Sequence, residues 1–270
     1  MPNTGLKRDL REKFYTKIKV ANQCIADFKK HIKLDKLDLI IEPSAGNGAF
    51  IPGIKKITNQ CKFFDIEPQH EDILCIDFLT CDHTLLDKTR IHILGNPPFG
   101  RQSSLAKKFI KKSAKFANSI SFILPKSFKK QSNIATFPLN FHLIFQTDLP
   151  AKSFLIDNKD HDVPCVFQIW IKRNYNRFGT IRQNPNNFQF VKKNDNPDIS
   201  FRRVGVYAGT ISTIFNNKSE QSHYFIKFDT EQSKLNILYN YNPKSFTFNN
   251  TVGPKSISKP ELIKVFNSII

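Results

Sequence analysis

The chain has 270 residues, enough for one large core, or one core with an appended unit, without a metal or disulfide staple. Its five cysteines (Cys24, Cys61, Cys75, Cys81, Cys165) are odd in number and widely spread, with no Cys-x-x-Cys pair, which argues against a disulfide framework and against a zinc site. Lys and Arg number 41 against 23 Asp and Glu, a formal charge of +18 that favours a polyanionic partner, nucleic acid above all.

A reducing, intracellular compartment, cytoplasm or nucleus, is expected. No apolar run is long enough to cross a bilayer, and the first eleven residues lack the apolar centre of an export signal, so a soluble protein with no membrane partner is expected. The plain alternative for the charge is compositional, because the chain is also rich in Asn, Ile and Phe, the pattern an AT-rich genome imposes. Residues 172–270 hold 15 basic and 6 acidic residues against 26 and 17 in residues 1–171, so the C-terminal part is the more basic.

Phe14, Ile18, Ala21, Ile25, Phe28 and Ile32 recur four and three apart with lysines opposite, which predicts an amphipathic helix over 12–32 covering a sheet. At its start Thr16 reads as a helix N-cap and Phe14 as a hydrophobic staple. Residues 37–41 form a predicted first strand, followed directly by Glu42-Pro43-Ser44-Ala45-Gly46-Asn47-Gly48-Ala49-Phe50. Small residues at Ser44, Ala45, Gly46 and Gly48 let the backbone approach a ligand, and the turn opens a helix whose amides can receive a carboxylate. A tight structural turn is the alternative. There is no third glycine at dinucleotide spacing and no Gly-Lys-Ser/Thr, which disfavours a dehydrogenase and a P-loop enzyme.

A second predicted strand, 62–64, ends in Asp65-Ile66, where a carboxylate can accept both ribose hydroxyls of a nucleoside. A third, 72–76, ends in Asp77-Phe78, again with a carboxylate at its tip. The fourth, 91–94, runs into Gly95-Asn96-Pro97-Pro98-Phe99-Gly100. Asn96 offers a neutral carbonyl acceptor, and Pro97 and Pro98 fix their own backbone angles and extend the residue before each, so the adjacent main-chain carbonyl is aimed. Two fixed acceptors suit an amino group with two hydrogens, beside a flat ring that Phe99 stacks against. A proline-stiffened surface turn is the alternative.

Ser103 or Ser104 is the predicted cap of a helix running to about Phe116. Its opposite face, Lys107, Lys108, Lys111, Lys112 and Lys115, reads either as solvated surface or as a track for a phosphate backbone. A fifth strand, 120–124, leads to a basic loop in which Lys126 and Phe128 are candidate substrate contacts, Phe128 as a ring beside a base. Residues 142–146 and 165–171 supply the last two strands. The expected architecture is α/β, a seven-stranded mostly parallel sheet with an antiparallel closing strand, over residues 1–173. Residues 174–270 read as a small, basic, β-rich appendage with strands at 201–207 and 223–228 and a closing helix at 259–269. Its Arg202, Arg203, Tyr207, His223, Tyr224 and Lys227 have the mix of a nucleic-acid contact surface, with a mere buttress of the sheet as the alternative.

Taken in order, Phe14-Tyr15-Thr16, the glycine loop, the acidic strand ends and Asn96-Pro97-Pro98-Phe99 resemble the class I S-adenosylmethionine-dependent amino-methyltransferases, over roughly residues 13–171. The Asn-Pro-Pro-Phe signature of that family goes with methylation of planar amine or amide nitrogens, above all adenine N6. The resemblance implies a Rossmann-like fold and S-adenosyl-L-methionine as cofactor. It places Phe14, Tyr15 and Thr16 against the methionine part, gives Glu42 the family's acidic position beside the loop of Ser44, Ala45, Gly46 and Gly48, and sets Asp65 and Ile66 at the ribose. Asp77 would accept the cofactor's adenine amine, Phe78 would wall its ring, and Asn96 would serve both cofactor and substrate. Asn96 with the Pro97 carbonyl would accept the two amine hydrogens of a flipped base stacked on Phe99, with no metal and no strong base. The expected reaction is N6 methylation of adenine in nucleic acid, DNA in preference to RNA. An RNA adenine methyltransferase, a protein glutamine-amide methyltransferase and a catalytically silent nucleic-acid-binding module are the alternatives, and the sequence gives no oligomeric state.

Overall fold

A computed structural model describes residues 14–82, 90–179, 183–246 and 255–270; residues 1–13 and the export-signal expectation placed on them lie outside it. The chain forms two compact units, the first ending at Gly179 and the second beginning at Thr180. The sequence placed that division at 173. The first unit keeps the additional residues because Arg177 donates to the carbonyls of Phe141, Ile134 and Phe137, with its guanidinium carbon 5.7 Å from the centre of the Trp170 ring.

In the first unit the chain runs β1 (Tyr15–Thr16), α1 (Ile18–His31), β2 (Leu39–Glu42), α2 (Ile51–Lys55), β3 (Cys61–Asp65), β4 (Ile73–Cys75), β5 (Ile91–Gly95), α3 (Ser104–Ser113), β6 (Ser119–Pro125), α4 (Gln131–Ile134), β7 (Phe141–Asp148), β8 (Phe154–Ile156), β9 (Lys159–His161) and β10 (Cys165–Lys172). Seven of these strands make one sheet in the order β4-β3-β2-β5-β6-β10-β7. β4, β3, β2, β5 and β6 are parallel, and β10 is antiparallel to both β6 and β7. This is a Rossmann-like, doubly wound α/β sheet. β5 and β6 are buried along their whole length, as strands covered on both faces must be. The antiparallel strand lies one place in from the edge, because β10 is the more apolar of the last two and takes the interior position, leaving the half-exposed β7 outermost. Its one buried amide, Gln168, is satisfied by the Phe128 carbonyl, Gln146 and the Trp170 indole.

The sheet grows outward from β2 in one direction and from β5 in the other, so strand order reverses between them. In open α/β sheets the ligand crevice opens at that reversal, beyond the carboxyl ends of the strands. Glu42 and Gly95 stand there. At the opposite end the buried imidazole of His92 meets Ser119 Oγ at 2.7 Å and Asp38 Oδ2 at 3.1 Å, and ties β5 to the start of β6 and the approach to β2. Burial lowers the pKa of His92 and favours the neutral ring.

The first helix is shorter than predicted. Tyr15 and Thr16 pair antiparallel with Leu155 and Phe154, so the chain enters α1 from a strand at Lys17, which has no side-chain cap. Thr16 is therefore not an N-cap and Phe14 not a staple. β1, β8 and β9 make a separate three-stranded sheet, reinforced by a 2.6 Å ion pair between Lys17 and Asp160. Ile18 is exposed, and α1 buries Val20, Ala21, Cys24, Ile25 and Phe28 instead.

The second unit contains β11 (Phe188–Val191), β12 (Ile199–Arg202), β13 (Ile211–Ser212), β14 (His223–Phe228), α5 (Glu231–Asn240) and α6 (Lys259–Asn267), with an antiparallel sheet ordered β11-β14-β12-β13. The strand predicted over 201–207 starts and stops earlier, ahead of Gly205 in a left-handed turn at φ +97°. α6 opens with a capping box between Ser258 and Glu261. α5, absent from the sequence reading, is capped by Thr230, whose hydroxyl accepts from the Ser233 amide. The antiparallel sheet is the β-rich extension expected there, and Phe188, Ile199, Phe201, Ile226, Ile237, Leu262 and Phe266 give it a core of its own to which α5 and α6 contribute.

Candidate active site

Asn96 leaves the end of β5, and its side-chain amide nitrogen donates to the Phe14 carbonyl and to Thr16 Oγ1, both at 3.1 Å. A peptide carbonyl can only accept, so the amide group must turn its nitrogen toward Phe14 and its oxygen away. That oxygen, Oδ1, is buried and has no hydrogen-bond partner. The Asn96 backbone carbonyl is held in turn by the Ser44 hydroxyl at 3.1 Å. One short strand and one loop thus orient this residue and leave a single acceptor bare. Pro97 is buried and Pro98 half-buried; Phe99 is 5% exposed, with its ring centre 6.0 Å from that of Phe14. His161 of β9 stacks on Phe14 at 5.4 Å and 21°.

The turn closes through backbone geometry. Gly100 has φ +67°, and a Cβ there would lie 2.8 Å from Leu105 Cγ. Gln102 and Ser103 are also left-handed, so neither serine caps α3 through its side chain, and the Leu105 and Ala106 amides bond to the Phe99 carbonyl instead.

A cavity of about 290 Å³ opens at the carboxyl ends of the strands, lined among others by Tyr15, Ser44, Gly46, Asp65, Asp77, Asn96 and Phe99. Asp65 Oδ2 accepts from the Gly46 amide at 2.7 Å and Oδ1 from the Glu67 amide at 2.9 Å, which clasps the glycine loop to the end of β3. Each oxygen keeps further acceptor capacity. Gly46 has φ +54°, and a Cβ on it would meet the Tyr15 ring at 3.2 Å, so the loop depends on glycine twice over. Asp77 is exposed, and its Oδ1 accepts from the Leu79 amide. Phe78 is buried and stacks on Phe109 at 5.5 Å and 17°, making an aromatic wall. Glu42 lies under Gly95, where any Cβ would touch its Cγ at 3.0 Å. It is 2% exposed, and its Oε2 has no partner. Burial first and the Asp65 carboxylate second hold its pKa well above the usual carboxylate range.

No protein-family model and no curated protein matches the chain. Solved structures do. A Pyrococcus horikoshii protein assigned as an RNA methyltransferase aligns at 13% identity over 63% of this chain and 92% of that one, with a TM-score of 0.46. The 23S rRNA methyltransferase ErmE aligns at 13% identity over 61% and 71%, with a TM-score of 0.45. The methyltransferase subunit of a type I restriction-modification system from Streptococcus thermophilus aligns at 15% identity over 62% and 46%, with a TM-score of 0.44. At such identities the likeness is one of architecture, and chemistry has to be argued from side chains.

Of the residues singled out in the sequence, Phe14, Tyr15, Ser44, Gly46, Asp65, Ile66, Asp77, Phe78, Asn96, Pro97, Pro98 and Phe99 share this one cavity. Thr16 and Glu42 stand behind it, the first on the Asn96 amide and the second beneath Gly95. Ala45 and Gly48 shape the loop without lining the cavity; the Ala45 carbonyl accepts from the Gly48 amide. Glu67, Leu105 and Phe109 line it unforeseen. Phe109 carried a helical-spacing signal, but its role as backing for Phe78 depends on a contact between distant elements.

The substrate contacts expected after β6 are corrected. Phe128 is fully buried in the core and has no ring face to offer a base. Lys126 is drawn to Asp148, 3.3 Å away, which it shares with Lys129. Lys111 is exposed on α3 beside Lys108 and Lys115, whereas Lys107 is half-buried and Lys112 donates to the Cys81 carbonyl, so the lysine face is narrower than the sequence suggested. Among the described residues no group of three or more His, Cys, Asp or Glu side chains could hold a metal ion, and no helix is long and apolar enough to cross a membrane.

Proposed function

We propose that this protein transfers a methyl group from S-adenosylmethionine to the N6 amine of adenine in nucleic acid. The observation that carries the proposal is the Asn96 carbonyl oxygen: buried, unpartnered, and fixed in direction because both hydrogens of its own amide group are used. A buried acceptor left without a donor costs about 1–3 kcal/mol, and a fold retains such a group where a ligand supplies the donor.

The cavity fits the cofactor by the same kind of observation. Asp65 offers spare acceptor capacity for ribose hydroxyls, Asp77 Oδ2 stands free of the bond that occupies Oδ1, and Phe78 with Ile76 and Leu105 gives a flat apolar wall for a purine. The Gly46 backbone is bare where a side chain would intrude, and Glu42 Oε2 lacks a donor. When bound, the cofactor supplies an electrophilic sulfonium methyl. Asn96 Oδ1 accepts one hydrogen of the target amine and the Pro97 carbonyl the other, which turns the nitrogen lone pair out of the ring's conjugation and fixes its direction. Neither acceptor is basic enough to remove a proton before transfer, so their contribution is orientation and stabilisation of the positive charge that grows on the amine. As the nitrogen–methyl bond replaces the sulfur–methyl bond, the amine becomes strongly acidic and gives up its extra proton to water. Phe99, braced by Phe14, presents its cavity side to a base taken out of the stack.

The formal charge of +18 and the exposed Lys108, Lys111 and Lys115 support nucleic acid over a protein amide as the acceptor. The test is transfer of a labelled methyl group to single-stranded DNA, duplex DNA and RNA, alongside calorimetry of cofactor binding. Label in DNA or RNA is expected. Cofactor binding with no label in any polymer would instead mark a silent nucleic-acid-binding module, and label in protein an amide methyltransferase.

A further inference from the structure

The second unit contains a polar pocket of about 230 Å³, lined by Ser200, Arg202, Tyr207, Thr210, Ser212, Lys218 and His223. β12 alternates strictly: Ile199 and Phe201 enter the unit's core, so Ser200 and Arg202 point to the other face of the sheet. Arg202 lies directly opposite His223 on β14, and Ser200 directly opposite Ser212 on β13. Lys218, between β13 and β14, completes the lining.

Three cationic or cation-forming side chains therefore line one pocket with no carboxylate in its wall. Like charges directly opposite on paired strands are destabilising. Among the described residues neither Arg202 nor Lys218 forms an ion pair; Arg202 Nε is used on the Val204 carbonyl, and its guanidinium carbon lies 6.0 Å from the centre of the Tyr207 ring. His223 is 7% exposed, and its Nδ1 is engaged by the Ser219 carbonyl and Ser222. A carbonyl only accepts, so Nδ1 carries the proton and Nε2 is the nitrogen that gains one if the ring becomes charged. Burial, Arg202 and Lys218 all push the His223 pKa down, the Ser219 bond pushing the other way. An anion among these groups would remove the mutual repulsion. Ser200, Ser212 and Thr210 spend their hydroxyl hydrogens on the Ser212, Ile214 and Tyr207 carbonyls, so the donors left for an anion are the Arg202 guanidinium, the Lys218 ammonium and His223 Nε2 once it is protonated. A fork and two point donors suit tetrahedral oxygens better than a planar carboxylate.

We propose that this pocket binds a phosphoryl group, through Arg202, Lys218 and His223. The ligand is a phosphate of a nucleic-acid backbone or of a small phosphorylated molecule; the chemistry is shared. The proposal is independent of the Asn96 cavity, since it concerns binding in the second unit.

The full-length protein is titrated calorimetrically with inorganic phosphate and with adenosine monophosphate, and by fluorescence anisotropy with labelled DNA and RNA oligonucleotides. Lys218→Gln and Arg202→Gln are compared with the unaltered chain, each checked by thermal unfolding. Saturable phosphate binding is expected, weakened about tenfold by either substitution. For a backbone phosphate, each substitution also weakens oligonucleotide binding and lowers its salt slope by about one. For a small phosphorylated ligand, the monophosphate responds to the substitutions and the oligonucleotides do not. Should Arg202→Gln unfold the unit, Lys218→Gln carries the test, because that ammonium has no ion pair among the described residues. No saturable binding of phosphate or monophosphate, or binding indifferent to Lys218→Gln, would overturn the assignment.

Discussion

Asn96→Ala removes two things at once, and Thr16→Val separates them. The alanine loses the bare acceptor Oδ1 and both bonds from Nδ2 that join the tetrad to Phe14 and Thr16. The two lost bonds cost about 1 kcal/mol each, but the substitution also relieves the roughly 1–3 kcal/mol that the unpartnered Oδ1 costs, so stability should change by only about 1 kcal/mol, or roughly 2–4 °C in Tm. Turnover should fall by about two or more orders of magnitude, equivalent to roughly 3 kcal/mol of lost transition-state stabilisation. Thr16→Val removes one of the two acceptors and leaves Oδ1 in place, still oriented by the Phe14 carbonyl. It should cost about 1 kcal/mol of stability and change the rate no more than about threefold. The assay is initial-rate methyl transfer at saturating cofactor, paired with denaturant unfolding of each variant. If Thr16→Val slows transfer as much as Asn96→Ala does, Asn96 acts as a structural pin and its carbonyl is not the acceptor. If Asn96→Ala stays within about tenfold of the unaltered rate, the acceptor argument fails outright.

Glu42→Gln should stabilise the protein increasingly as pH rises above the ordinary carboxylate value of about 4.3, because a raised folded-state pKa means stability is lost with rising pH. The slope removed is that of one proton, at most about 1.4 kcal/mol per pH unit, and equal slopes in denaturant titrations of both forms would contradict the burial argument. Phe128→Ala should cost about 3–5 kcal/mol of stability as a core truncation. A variant of unchanged stability that binds nucleic acid less well would restore Phe128 as a substrate contact. Changing Lys108, Lys111 and Lys115 together to Gln should lower the salt slope of nucleic-acid binding by up to about three, and an unaltered slope would make that helix face plain solvated surface.

The strands of the large sheet were legible because each is a short apolar run bounded by turn residues, and the carboxylates at their ends could be read by position. The tetrad was legible for a local reason too, since two prolines and an asparagine restrict their own geometry. What holds Asn96 was not. Thr16 looked like a helix cap because its neighbours have helical spacing, and a two-residue strand has no periodicity to set against that; its partner β8 lies some 140 residues away in sequence. Phe128 misled because a lone aromatic in a basic loop does not reveal which way it points, and here a single 3-10 turn returns it to the core. The second unit's core escaped because its apolar residues are scattered singly among Asn, Lys and Ser, and gather only when β11, β12, β14 and α6 come together.

The central claim is that the methylated atom is an exocyclic amine nitrogen held by two acceptors. It is tested most directly by digesting the labelled polymer from the transfer reaction and identifying the methylated nucleoside by mass spectrometry. The expected product is N6-methyladenosine or its deoxy counterpart, from the unaltered protein and, far more slowly, from Asn96→Ala. A methyl group on a ring carbon, a ring nitrogen or a ribose oxygen, none of which offers two hydrogens to two acceptors, would contradict it.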